Sequence, residues 1–112
     1  MQAISSRSWS LCSAFRRPPR AKGGVPPDSE HAPEVLAGSP RHGEWVDIGL
    51  PGTEVKIKTF VAYPERKDKA PVVIVIHEIF GMTDWVRGVA DTFAAEGFIA
   101  VAPDLLSEPV LL

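Results

Sequence analysis

An imidazole and a carboxylate on adjacent residues, His77 and Glu78, close the run PVVIVIHEIFG over Pro71–Gly81 and are the pair in this chain best placed to do chemistry. The dipeptide HE opens the zinc motif HExxH, but that motif needs a second histidine at position 81, where the chain has Gly81, and a helix to carry both ligands. A carboxylate acting as a base is the other possibility. An ionised glutamate beside an apolar run is costly unless it is paired, solvated or shifted in pKa. Glu78 is therefore either a solvated or ion-paired strand-end carboxylate or a proton acceptor. The only thiol, Cys12, lies in a Ser/Arg-rich segment, and neither G-x-C-x-G nor G-x-S-x-G, the patterns of a sharp strand-to-helix nucleophile turn, occurs in the 112 residues. Ser107 lacks flanking glycines as well.

The elements that must position His77 and Glu78 follow from periodicity. Val72–Ile76 is β-branched without alternation, which predicts a strand buried on both faces inside a mostly parallel sheet. Ligands of open α/β sheets bind beyond the carboxyl ends of the strands, so His77, Glu78 and Ile79 stand where a site is expected. Downstream, Thr83 suits a helix N-cap and Asp84 the first turn; Trp85, Val86, Val89, Ala90 and Phe93 recur at helical spacing and are expected to pack on the sheet. Arg87, Asp91 and Glu96 fall largely on the other side. Gly97 is a natural stop, and Phe98–Ala102 a second short buried strand, giving a βαβ unit with parallel strands. Upstream, Glu44–Ile48 and Val55–Tyr63 flank a Pro51–Gly52 turn as a hairpin-like pair, with Val55, Ile57, Thr59 and Val61 on one side and Lys56 and Lys58 keeping half of the other wet. Pro64–Ala70 reads as a charged turn.

PVVIVIHEIFG, the helical DWVRGVADTFAAEG and then FIAVAPDLL together resemble the N-terminal part of the dienelactone hydrolase family, a branch of the α/β-hydrolases, over roughly residues 44–107. The resemblance implies a partial α/β-hydrolase fold, in class α/β, made of the leading hairpin and the βαβ unit. It also implies hydrolysis of an ester or lactone (carboxymethylenebutenolidase-type) through a cysteine acyl-enzyme, with no cofactor and no metal. In that family the glutamate matching Glu78 lies beside the nucleophilic cysteine and helps generate the thiolate, which is coherent with a thiol pKa near ~8.5 needing a base at neutral pH and with a partly desolvated carboxylate being a better proton acceptor. The backbone N–H of Ile79 is, by the same resemblance, an oxyanion-hole donor, and Gly81 lets the loop turn. His77 and Asp104 precede any nucleophile in chain order, so the resemblance leaves them outside a triad, His77 shaping its loop and Asp104 hydrogen-bonding the loop that follows.

Residues 1–42 are expected to be a disordered, targeting or linker segment. Up to position 27 they hold Arg7, Arg16, Arg17, Arg20 and Lys22 and no acid, and Gly23–Pro40 is rich in Pro, Gly and Ser. Residues 43–112 are expected to form the N-terminal part of a hydrolase domain, the whole being a fragment or truncated product, since a complete fold of this kind runs to about 200 residues or more. The alternative is a non-catalytic fragment or binding piece. A net charge of −2 argues against a nucleic-acid or basic membrane-surface partner, a lone cysteine against an internal disulfide, and no stretch reaches the ~18 apolar residues of a membrane span. The expected partner is a small ester or lactone, the expected location cytoplasmic with an N-terminal targeting role left open.

Overall fold

The computed structural model describes residues 24–107. The hairpin forms as the alternation predicts. Strands β1 (Gly43–Gly49) and β2 (Lys56–Ala62) pair antiparallel from Gly43 opposite Ala62 to Gly49 opposite Lys56. Strand β3 (Val72–Ile74) and strand β4 (Ile99–Pro103) pair parallel, Val72 beside Ile99 and Ile74 beside Val101. β4 also pairs antiparallel with β2, so one mixed sheet runs β1-β2-β4-β3 and the fold is α/β.

Between β3 and β4 lies the longer of the two helices among the described residues. The helix α1 spans Ala32–Ala37, and α2 spans Asp84–Ala95. Thr83 caps α2, its hydroxyl accepting the Val86 N–H at 3.4 Å, and the helix stops where Gly97 donates to the Ala94 carbonyl and Phe98 to that of Phe93. Its sheet-facing stripe is Val86, Ala90 and Ala94, which pack on Phe60 and Ala62 of β2 and on Ala100 and Ala102 of β4. Small residues on both sides let helix and sheet approach closely. Trp85 and Phe93, expected in this stripe, stand at its margins and remain exposed.

Residues 1–23, the first part of the segment expected to be disordered or targeting, lie outside the described residues. The remainder differs from the linker expectation over Gly23–Pro40. Residues 27–41 run as a strap over the outer face of α2, and Pro33 falls in the first turn of α1, where its missing N–H is an orphan in any case. Pro27 rests on Gly88, where an added Cβ would stand 3.0 Å from the proline Cγ, so a larger residue would have to push the strap back by a few tenths of an ångström. Asp91, expected on the solvent side, is buried by the strap. The Arg41 guanidinium donates to both its oxygens, at 3.0 and 2.6 Å, and the Ser39 hydroxyl donates at 2.7 Å.

A second difference concerns β3. Two-sided burial was expected for Val72–Ile76, but among the described residues only the α2 side is covered, and Val72, Ile74 and Ile76 are 59, 65 and 70% exposed on the other. β3 is an edge strand here, paired on one side by β4.

Candidate active site

The backbone leaves β3 and turns at Glu78–Gly81, where the Gly81 N–H donates to the Glu78 carbonyl at 3.0 Å. Gly81 has φ +75°, a conformation that strains any residue with a Cβ, and that Cβ would also meet Leu106 Cδ1 at 3.3 Å. A turn closed by this bond leaves the N–H groups of its two central residues free of the turn itself. Here these are Ile79 and Phe80, both exposed, and neither N–H finds a partner among the described residues.

His77 holds this turn in place. Its Nε2 accepts the Leu105 N–H at 2.9 Å, so the ring proton is on Nδ1, which donates to the Glu78 carbonyl at 2.6 Å. Both nitrogens are thereby used, with the ring side chain nearly buried, and the imidazole is a fixed strut between two loops. Asp104 anchors the second loop: its Oδ1 accepts the Leu106 N–H at 3.1 Å, and its carbonyl accepts from the Ser107 hydroxyl at 2.7 Å. Ser107 Oγ in turn accepts the Lys58 N–H at 3.1 Å, so this serine serves the backbone. The loop-shaping roles expected of His77 and Asp104 are what the contacts display.

Glu78 itself is solvent-exposed. The desolvation that the sequence argument asks of it is not supplied by residues 24–107. Its surroundings are instead one wall of an open cavity of about 420 Å³, lined by Asp28, Ser29, Glu78, Phe80, Thr83 and Trp85. Five of these six escape sequence reasoning. Phe80 reads as a turn residue and Trp85 as core, and Asp28 and Ser29 belong to the presumed linker; the one available signal is the placement of two aromatics within eleven residues of the end of β3. Among the described residues no three His, Cys, Asp or Glu side chains converge as metal ligands would, and no helix is long and apolar enough to cross a membrane.

Comparison with known proteins points one way. Residues 57–110 match the dienelactone hydrolase family. A candidate carboxymethylenebutenolidase of Azospirillum brasilense is 43% identical over 60 residues, which are 53% of this chain and 26% of that protein. One from Synechocystis is 39% identical over 56 residues, 50% of this chain and 23% of the relative. A candidate hydrolase fragment of Escherichia coli is 32% identical over 76 residues, 67% of this chain and 60% of its own length. Among solved structures, a candidate dienelactone hydrolase from Klebsiella pneumoniae aligns with a TM-score of 0.48 and 31% identity, over 57% of this chain and 27% of that one. The chain thus spans about a quarter of the length of the first two of these relatives.

Proposed function

Residues 57–110 carry the sequence of the dienelactone hydrolase family, and from that premise we propose that residues 43–112 supply the oxyanion-loop half of an ester or lactone hydrolase site. Glu78 is the proton acceptor that generates a cysteine thiolate, and the Ile79 N–H is a donor to the oxyanion. The cysteine itself comes from outside these 112 residues, which contain no nucleophile-turn pattern. In the reaction the thiol proton passes to the Glu78 carboxylate and the thiolate adds to the ester carbonyl carbon. The carbonyl electrons move onto oxygen, and the negative oxygen is met by the Ile79 N–H. Collapse breaks the ester C–O bond and expels the alkoxide, which takes the proton held by Glu78 and leaves as the alcohol, and water then cleaves the thioester to the acid and the free thiol. A single such donor is worth about 2.7–4 kcal/mol in the transition state.

The observation that supports this reading is the turn itself. The Glu78–Gly81 hydrogen bond leaves the Ile79 N–H unspent, beside a cavity that the carboxylate of Glu78 and the ring of Phe80 line. A second reading, a binding or pairing piece with no turnover of its own, is favoured by the exposure of Glu78 and by the absence of a nucleophile pattern.

One experiment separates them. The chain is joined after residue 107 to the remaining part of the Azospirillum relative, and Glu78→Gln is compared with the parent. A general-base role predicts a fall in kcat/KM of about 10²–10⁴-fold and a rise in the apparent thiol pKa, read from iodoacetamide alkylation across pH. Turnover and alkylation profile both unchanged in the Gln variant would sink the role given to Glu78.

A further inference from the structure

We propose that His77 is a proton-sensitive positioning residue: its neutral ring aims the Ile79 N–H by holding the Glu78 carbonyl, and protonation moves its Nε2 from the Leu105 N–H to the Asp104 carboxylate and slackens that hold. Only the consequence for catalysis rests on the hydrolase reading. The aim comes from the peptide bond. The Glu78 carbonyl and the Ile79 N–H belong to one planar group, so a partner that fixes the oxygen fixes the direction of the hydrogen. That oxygen accepts twice, from the Gly81 N–H at 3.0 Å and from the His77 Nδ1–H at 2.6 Å. The second bond reaches beyond the turn, because the other ring nitrogen accepts the Leu105 N–H at 2.9 Å. With the His77 side chain 5% exposed, bulk water does not stand in for a lost partner. A Cβ at Gly81 would lie 3.3 Å from Leu106 Cδ1 and 4.0 Å from Asp104 Oδ1, so the turn and the loop after β4 are in contact as well as bridged.

The bond to Leu105 exists in one protonation state of the ring. An imidazolium carries a hydrogen on both nitrogens and accepts at neither. A proton on Nε2 would face the Leu105 N–H, donor against donor at 2.9 Å, whereas Oδ1 of Asp104 stands 3.7 Å from the same nitrogen and accepts the Leu106 N–H at 3.1 Å. A small movement of the ring completes that contact and exchanges a bond between neutral groups for a charge-assisted one. Histidine is also the side chain whose ordinary charge change falls between about pH 5 and 8. The neighbouring charges leave Asp104 to the ring. Glu78, on the turn itself, has an exposed side chain. At the start of α2, Asp84 is paired with Arg87, and Lys58 of β2, whose backbone N–H meets Ser107, holds its ammonium 5.1 Å from the centre of the Trp45 ring. Among the described residues the arginines that meet carboxylates are Arg41, Arg66 and Arg87, and none of their partners is Asp104.

The test follows the ring and the peptide group together by NMR in the ¹⁵N-labelled 112-residue chain, from about pH 8 to about pH 5. At the upper end the bare ring nitrogen of His77 is expected to be Nε2. As the pH falls, the ring nitrogens and the Ile79 and Leu105 amides should shift in one step with a shared midpoint. His77→Gln offers an oxygen to the Leu105 N–H and an amide N–H to the Glu78 carbonyl and has no proton to gain in this range. It should keep both amides near their upper-pH positions and lose the step. Glu78→Gln removes the adjacent carboxylate as a source of the shift, and the step should survive in it. A bare Nδ1 in place of Nε2, an Ile79 amide that does not move with the ring, a step lost in Glu78→Gln or a step retained in His77→Gln would each overturn the proposal. The first two are read in the parent chain and decide the matter even where a variant does not fold. No readout depends on turnover, so such a result leaves the kinetic role of Glu78 standing, and unchanged kinetics in Glu78→Gln leave the His77 switch standing.

Discussion

The face of the sheet under α2 and the outer face of β3 are built from similar residues and end up in opposite conditions. On the α2 side, Phe60, Ala62, Ala100 and Ala102 are at most 7% exposed beneath Val86, Ala90 and Ala94. On the other side of β3, Val72, Ile74 and Ile76 face outward with nothing over them among the described residues. Burial is decided by what packs above a strand and not by the strand's own composition. The candidate site sits where the two conditions meet: the turn after β3 is braced from below by His77, Gly81 and the Asp104 loop, while Glu78, Ile79 and Phe80 project into open space. A rigid base under exposed functional groups is what a half-built site would need.

The largest test of this contrast concerns the strap. If residues 27–41 belong to the packed side, Asp91→Ala strands the Arg41 guanidinium at a position where the two side chains are only 16 and 7% exposed. Breaking a buried pair by removing one partner costs about 3–5 kcal/mol. Urea unfolding should show a loss of that order. A change within the range of a surface substitution would place the strap outside the cooperative unit.

Much of the fold can be read from local pattern, and the limits of that reading are physical. Thr83 as cap and Gly97 as stop depend on residues within a few positions of one another, the hairpin follows from two alternating runs about a short turn and the parallel pairing from the order strand, helix, strand, and all appear in the structure. The strap cannot be read this way. Its order rests on Pro27 meeting Gly88 and on Arg41 meeting Asp91 fifty residues later, while its own composition argues for a linker. The same holds for Asp91, a polar residue on the expected polar side of a helix that happens to be covered. For the site, HEIFG identifies the turn and the resemblance assigns Glu78 and Ile79 their parts, but the cavity walls come from two segments, 28–29 and 78–85, that periodicity does not bring together.

A matched pair of truncations sharpens the comparison at intermediate size. Val86→Ala removes two methyl groups from a side chain that is fully buried, and at ~0.8 kcal/mol per group plus a cavity term the expected cost is about 2 kcal/mol. Ile74→Ala removes as much or more from the uncovered side of β3 and should stay within about 0.5 kcal/mol. Both are read from urea midpoints under one condition. Equal losses would mean that the outer face of β3 is covered in solution, and the contrast between the faces would disappear.

The smallest effect is expected at Asp68, in the charged turn between β2 and β3. Like Asp91 it meets an arginine through both oxygens, but its partner Arg66 is two residues away and its own side chain is mostly exposed. The Arg66 guanidinium, followed by the Asp68 backbone N–H, lowers its carboxyl to about 2 from an ordinary 3.8. A carboxylate with a depressed folded pKa contributes stability that is present above its unfolded value and is lost as pH falls through the folded one, so any contribution from Asp68 is whole above pH 4 and gone below about 2. Two things shrink it. Solvent screens an exposed pair, and residues two apart can meet in the unfolded chain as well, which lowers the reference pKa too. A carbon-detected titration should place the Asp68 midpoint near 2, returning toward the ordinary range in Arg66→Ala. At pH 7 the urea midpoint of Asp68→Asn should match that of the parent within error. A loss at Asp68 as large as that of Val86→Ala would show that the local pair, and not the position of a group relative to the packed face, governs what an interaction contributes in this chain.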